Sequence, residues 1–220
     1  MKFVNTALFS ALAMTFTLSA QAVVINFQTM ADSTVGEKGF STLSLLGYYG
    51  LDIDISTKDT ANTSGTGFAY LDRGTAGLGA CSVLTSAMQC NPSSDDNVST
   101  GETLVFTFNQ NVFINNLVFN NNHDPDRSLT GDSILINNVS TLFAASDIVG
   151  ANVNGNRDYL YTPLSGLFSA GSTLEIAYGG SHADEFYISS MDVSSVPEPG
   201  SLALLGLGLV GLGVARRKAK

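Results

Sequence analysis

The chain has 220 residues, with ten Lys and Arg against nineteen Asp and Glu, for a net charge of −9. Five of those basic residues and only Glu198 of the acids lie in the two terminal segments, which leaves the central body near −13. A surface of that sign repels nucleic acid and anionic membranes, because phosphate binding needs clustered Lys and Arg. It suits neutral glycans, or anionic polymers bridged by a divalent cation.

At the N-terminus, Lys2 precedes a mostly apolar run over residues 3–18, and Ala20-Gln21-Ala22 supplies a small-x-small triplet. This is the pattern read by signal peptidase, so residues 1–22 are expected to be a secretory signal peptide cut after Ala22. Residues 23–195 then make one domain, long enough for a substantial core. Gly is abundant and Trp absent, and long charged helical faces are missing, as in extracellular β-proteins rich in turns. Cys81 and Cys90 are the only cysteines. On an oxidising export route they are expected to form a disulfide. A C-x8-C pair without further Cys or nearby His is poor zinc spacing.

Along the body, residues 23–27 open on the β-branched Val23, Val24 and Ile25 and predict a first strand. Residues 43–49 are apolar and fit either a strand or a short helix. Residues 50–55 alternate strictly, with Leu51, Ile53 and Ile55 on one face and Asp52 and Asp54 on the other. Residues 56–67 read as a loop before a strand at 68–71, and residues 74–99 as a long surface excursion stapled by the disulfide. Residues 102–108 and 112–119 predict two strands joined as a hairpin through Asn109-Gln110-Asn111. Ile134 and Ile136 face inward after a turn at Gly131-Asp132, and Leu174, Ile176 and Tyr178 alternate. In the last strand Phe186 and Ile188 share a face that Met191 and Val193 miss by one residue, which predicts a bulge at Ser189-Ser190. The whole predicts an all-β, two-sheet, jelly-roll-like sandwich, with residues 194–200 as its linker to the tail.

Candidate chemistry is sparse. Asn120-Asn121-Asn122-His123-Asp124-Pro125-Asp126-Arg127 is the most polar loop. Asp124 and Asp126 are candidate oxygen ligands for Ca²⁺, although the spacing does not match an EF-hand and the same residues build a solvated turn equally well. Asp52, Asp54 and Asp59 form a second acidic group, and Asp95-Asp96 a weaker third. His182 stands near Asp184 and Glu185, but no G-x-S-x-G elbow accompanies them. No catalytic residue is assigned, no cofactor is required, and the body reads as non-enzymatic. Exposed aromatics on a β-sandwich bind glycans in many folds, and Tyr48, Tyr49, Tyr159 and Tyr161 are the candidates here.

The tail, residues 196–220, has three parts. Pro197, Glu198 and Pro199 form a rigid stop, since proline lacks a backbone N–H and holds its predecessor extended. Residues 202–214, including Leu202, Leu205, Leu209 and Val214, are all apolar or Gly. Arg216, Arg217 and Lys218 then form a basic plug that favours the cytoplasmic side. At about 1.5 Å per residue the apolar run covers roughly 20 Å of a ~30 Å hydrocarbon core, short for a permanent anchor. Gly206 to Gly211 matches G-x-G-x-x-G, but no βαβ unit or acidic residue follows it.

Those three parts in that order resemble the PEP-CTERM sorting signal of Gram-negative bacteria, over about the last 25 residues. The resemblance implies transient membrane insertion, recognition by an exosortase, cleavage near Pro197, Glu198 and Pro199, and delivery to the cell surface or an exopolysaccharide matrix. The expected function is therefore an exported, non-enzymatic surface or matrix protein that binds exopolysaccharide. The alternatives are a secreted polysaccharide hydrolase and a permanently membrane-anchored structural protein.

Overall fold

The computed structural model describes residues 22–60, 65–123, 128–151, 157–161, 166–179 and 182–196, together with 206–208, 211 and 217. Fifteen strands are seen among them: β1 (Ala22–Asn26), β2 (Lys38–Phe40), β3 (Leu43–Ser44), β4 (Ile53–Asp59), β5 (Phe68–Asp72), β6 (Gly77–Cys81), β7 (Glu102–Phe108), β8 (Val112–Asn120), β9 (Ser133–Ile136), β10 (Val139–Leu142), β11 (Ile148–Ala151), β12 (Arg157–Tyr161), β13 (Gly166–Phe168), β14 (Thr173–Ala177) and β15 (Tyr187–Ser195). A short helix, Leu46–Tyr49, follows β3, so the apolar stretch at 43–49 supplies both of its expected forms.

The strands make two antiparallel sheets. One runs β11-β12-β8-β15-β6-β5-β2, with β13 also on β8 and β1 also on β15; the other runs β10-β9-β14-β7-β4-β3. Alternation fixes which side chains point between them. Ile53, Ile55, Leu104, Phe106, Phe108, Leu174 and Ile176 of the smaller sheet meet Ile114, Leu117, Phe119, Ile188, Met191 and Val193 of the larger in one buried cluster. Burying each such Leu, Ile or Phe stabilises the fold by about 1.5–3 kcal/mol. Phe119 also meets Phe143 and Phe186 at ring-centroid distances of 5.5 and 5.9 Å.

β15 carries the expected bulge. Ile188 opposes Phe119 and Ser190 opposes Val118, so Ser189 is the extra residue. The slip brings Ile188, Met191 and Val193 to the same core despite their mismatched spacing.

The expected hairpin at 102–119 does not form. β7 pairs with β4 and β14, whereas β8 pairs with β15, β12 and β13, so Asn109-Gln110-Asn111 is a corner between sheets. Both strands still turn an apolar face to the core, one from each side, which alternation cannot distinguish from a shared sheet. Asn109 holds the corner: its N–H donates to the Asp52 carbonyl at 2.9 Å and its Nδ2 to Asp52 and Asp54 at 3.1 and 3.0 Å. The acidic face of β4 is thus a corner latch.

Residues 74–99 are not solely a surface excursion either, for they contain β6, buried throughout between β5 and β15. A Cβ on Gly79 would lie 2.0 Å from the Asp96 carbonyl oxygen, and one on Gly77 2.5 Å from that of Ile188. This strand is built from small residues because backbone passes directly over it. The Cys81–Cys90 disulfide closes the loop beyond it, with Cα atoms 5.9 Å apart.

Candidate functional site

Four segments converge at the start of β15. β5 ends in Asp72, followed by a turn in which Gly74 and Thr75 have φ of 70° and 71°. Asp96 lies on the chain crossing β6, His123 follows β8, and Tyr187 opens β15. One ligand atom each of Asp72, Asp96 and His123 lies within 4.8 Å of the others. His123 Nδ1 is 2.9 Å from Asp72 Oδ2, and Tyr187 Oη donates to Asp96 Oδ1 at 2.6 Å. The His123 ring meets Tyr187 edge-on at 6.0 Å. Asp72 is buried, Asp96 half-buried and His123 exposed.

The asparagine run before His123 is what sets its position. Asn120, Asn121 and Asn122 are all buried, so this half of the polar loop is not a solvated turn. Asn120 Nδ2 donates to the Ala76 carbonyl at 2.8 Å and to Ser189 Oγ at 2.7 Å, while its Oδ1 accepts from the Asn122 N–H at 2.9 Å. Asn122 Nδ2 donates to Thr75, closing the loop onto the turn after β5. His123 is left in the left-handed region, at φ 76°, a conformation uncommon outside glycine and indicative of a position fixed by its surroundings.

Charge at the cluster follows from burial. Loss of water pushes the Asp96 carboxyl up to about 6, against the lowering effect of the Tyr187 hydrogen bond. The Asp72 carboxylate beside Nδ1 raises the His123 pKa, against the opposing effect of burial. Two carboxylates and an imidazole that can share one centre form a donor set able to hold a divalent cation.

The other expected sites resolve differently. Asp124 and Asp126, the candidate Ca²⁺ ligands, lie outside the described residues. Asp184 accepts from Asn121 Nδ2 at 3.2 Å and Glu185 from Asn97 Nδ2 at 2.7 Å, so both carboxylates serve the asparagine network. Of the four tyrosines, Tyr48 is exposed; Tyr159 is fully buried, with its hydroxyl against Ser128 and Thr130. Tyr49 Oη accepts from the Asn26 N–H at 3.3 Å, and Tyr161 packs edge-on against Phe119. Of the four, Tyr48 is exposed, Tyr49 and Tyr161 are half-buried, and only Tyr159 is fully buried.

At the far end of β15 the chain meets its tail. Ser195 still pairs with Val112, and the Val196 N–H donates to the Asn111 carbonyl at 3.0 Å. The expected linker at 194–200 thus loses its first three residues to the sheet. Ala22 of β1 lies opposite Ser194, so both terminal segments leave the same end of this sheet. The protein-sorting motif PEP-CTERM matches residues 195–218. The tail is a PEP-CTERM sorting signal. No curated protein and no solved structure matches the chain. The PEP-CTERM match begins on the last residue of β15 and covers Pro197, Glu198, Pro199, Leu202, Leu205, Leu209, Val214, Arg216, Arg217 and Lys218. Of these only Arg217, which is exposed, is among the described residues. Among the described residues no helix is long and apolar enough to cross a membrane. The signal-peptide segment, except Ala22, also lies outside the described residues.

Proposed function

We propose that this chain is an exported, non-enzymatic β-sandwich protein handed to an exosortase by its PEP-CTERM tail and released to the cell surface or extracellular matrix. The observation that carries this reading is the motif match at residues 195–218, which starts where β15 ends. Signal peptidase removes residues 1–22, and the apolar run at 202–214 enters the bilayer for as long as processing lasts. The shortness of that run and the basic residues behind it favour a sorting helix over a lasting anchor. The body, acidic and all-β, works as a binding or structural module in the matrix, with neutral exopolysaccharide the polymer its charge admits most readily.

Mass spectrometry on the native protein from fractionated cells and medium tests this. A surface or medium form ending near residues 197–200 is the expected result. A membrane form that keeps Lys220, with no shorter product, would overturn the sorting reading and leave the permanent anchor. Glycan arrays probed with the released form test the polymer separately, and loss of all binding would sink that part alone.

A further inference from the structure

We propose that Asp72, Asp96 and His123 bind a divalent first-row transition ion, of the Zn²⁺ or Mn²⁺ class, which ties β5, the segment crossing β6 and the end of β8 to one another.

Three observations support the site. The first is proximity: the three ligand atoms lie within 4.8 Å of one another, and atoms sharing a tetrahedral ion with bonds near 2.0 Å stand about 3.3 Å apart. Small side-chain rotations close that gap. The second is the burial of Asp72. Its Oδ2 is buried and ion-paired with His123 Nδ1 at 2.9 Å, without the geometry of a well-aligned hydrogen bond. Buried carboxylate oxygens are ordinarily held by well-aligned donors. A divalent ion that displaces the Nδ1 proton would take up the lone pairs of both atoms.

The third observation is the support around the ligands. Tyr187 holds Asp96 through Oδ1, leaving its second oxygen for coordination. A Cβ built on Gly74 would sit 3.0 Å from His123 Nε2, so that edge of the ring is against backbone and Nδ1 faces the carboxylates. Orientation of ligands by such outer partners is the usual mark of a metal site. No Lys or Arg among the described residues forms a salt bridge with either carboxylate. The imidazole nitrogen distinguishes this donor set from the all-oxygen sets that Ca²⁺ prefers, and the exposed side of His123 gives the ion a way in.

The test uses the full chain, stripped with a chelator and titrated with Zn²⁺, Mn²⁺ and Ca²⁺ by calorimetry, thermal unfolding and NMR of the imidazole protons. One Zn²⁺ or Mn²⁺ per chain is expected, with a higher Tm and a shift of the His123 resonances but not those of His182. Asp96→Asn and His123→Asn should each weaken binding at least tenfold; Asn tolerates the positive φ at 123 and so keeps the backbone. A histidine–aspartate ion pair alone predicts a lower Tm for His123→Asn and no saturable metal binding by the wild-type chain, which overturns the proposal. Affinity unchanged from the wild type in both variants, or binding of Ca²⁺ alone, overturns it as well.

Discussion

Glu102, at the start of β7, is 2% exposed and accepts from the Ser99 N–H at 2.8 Å and Ser99 Oγ at 3.0 Å, both through Oε2. Oε1 is buried without a donor. Burial pushes this carboxyl up to about 7, from 4.5. Between those two values the folded chain keeps a proton that the unfolded chain has released. Stability from this group is therefore fully present below pH 4.5 and is lost as pH rises through 7. Glu102→Gln keeps the acceptor oxygen and removes the titration. Urea unfolding of both proteins at pH 5 and pH 8 should show the wild type losing more stability than the variant, by on the order of 2–3 kcal/mol. Equal losses would mean that Glu102 stays ionised across the range.

At the scale of elements, β6 gives the sharpest test of how the sheet is assembled. Gly79→Ala drives a methyl group into the Asp96 carbonyl, a backbone atom that cannot rotate away. The expected destabilisation is about 1–3 kcal/mol or more, as for overpacked cores. Gly47→Ala, in the short helix Leu46–Tyr49 with nothing within 4 Å of the new Cβ, should be neutral or slightly stabilising. Denaturant midpoints that fall equally in both would contradict the close approach over β6. Reducing Cys81–Cys90, which closes a loop of about ten residues, should lower stability by roughly 2–3 kcal/mol in the chain-entropy model. An unchanged midpoint would show that the loop is held by β6 and its neighbours alone.

The same elements show what alternation can and cannot reveal. β4, β7, β8, β14 and the bulge in β15 were legible because large apolar residues recur at period two, and a slip in that period has a structural cause. β6 was not, because its core face carries only Leu78 and Ala80 and its other positions are Gly77, Gly79 and Cys81, too small to give a recognisable strand pattern. The β7–β8 corner was illegible for another reason: pairing partners are long-range, and Asn109 latches to Asp52 and Asp54 only once β4 lies beside β7. The site was half legible. Its polar loop stood out, yet the residue of it that joins the cluster is His123, and its partners Asp72 and Asp96 come from a strand end and from the weakest of the acidic groups. Neither carries a local motif.

For the whole molecule, β15 is an axis with different tasks at its two ends. Tyr187 at one end supports Asp96, and Ser195 at the other gives way to the sorting signal. At about 3.3 Å per residue those ends are roughly 26 Å apart, so the candidate metal site lies at the end of this strand opposite the tail. Cleavage after Ala22 would leave four of the five residues of β1 on β15, beside the segment still to be processed. Among the described residues the last backbone hydrogen bond of the body, from Val196 to Asn111, stands one residue before Pro197. An enzyme that grips an extended substrate needs several free residues on each side of the cut, and here the upstream ones belong to an interior strand. Under the proposed processing, a cut near Pro197 would need either docking against the sandwich or partial unzipping of Ser194, Ser195 and Val196. A six-residue Gly-Ser insertion between Val196 and Pro197 should therefore speed removal of the tail in cells, read as the ratio of long to short forms after a pulse of synthesis. Unchanged rates would mean that the sheet end presents the motif in a form the enzyme already accepts. Slower processing would mean that the enzyme reads the folded body together with the tail.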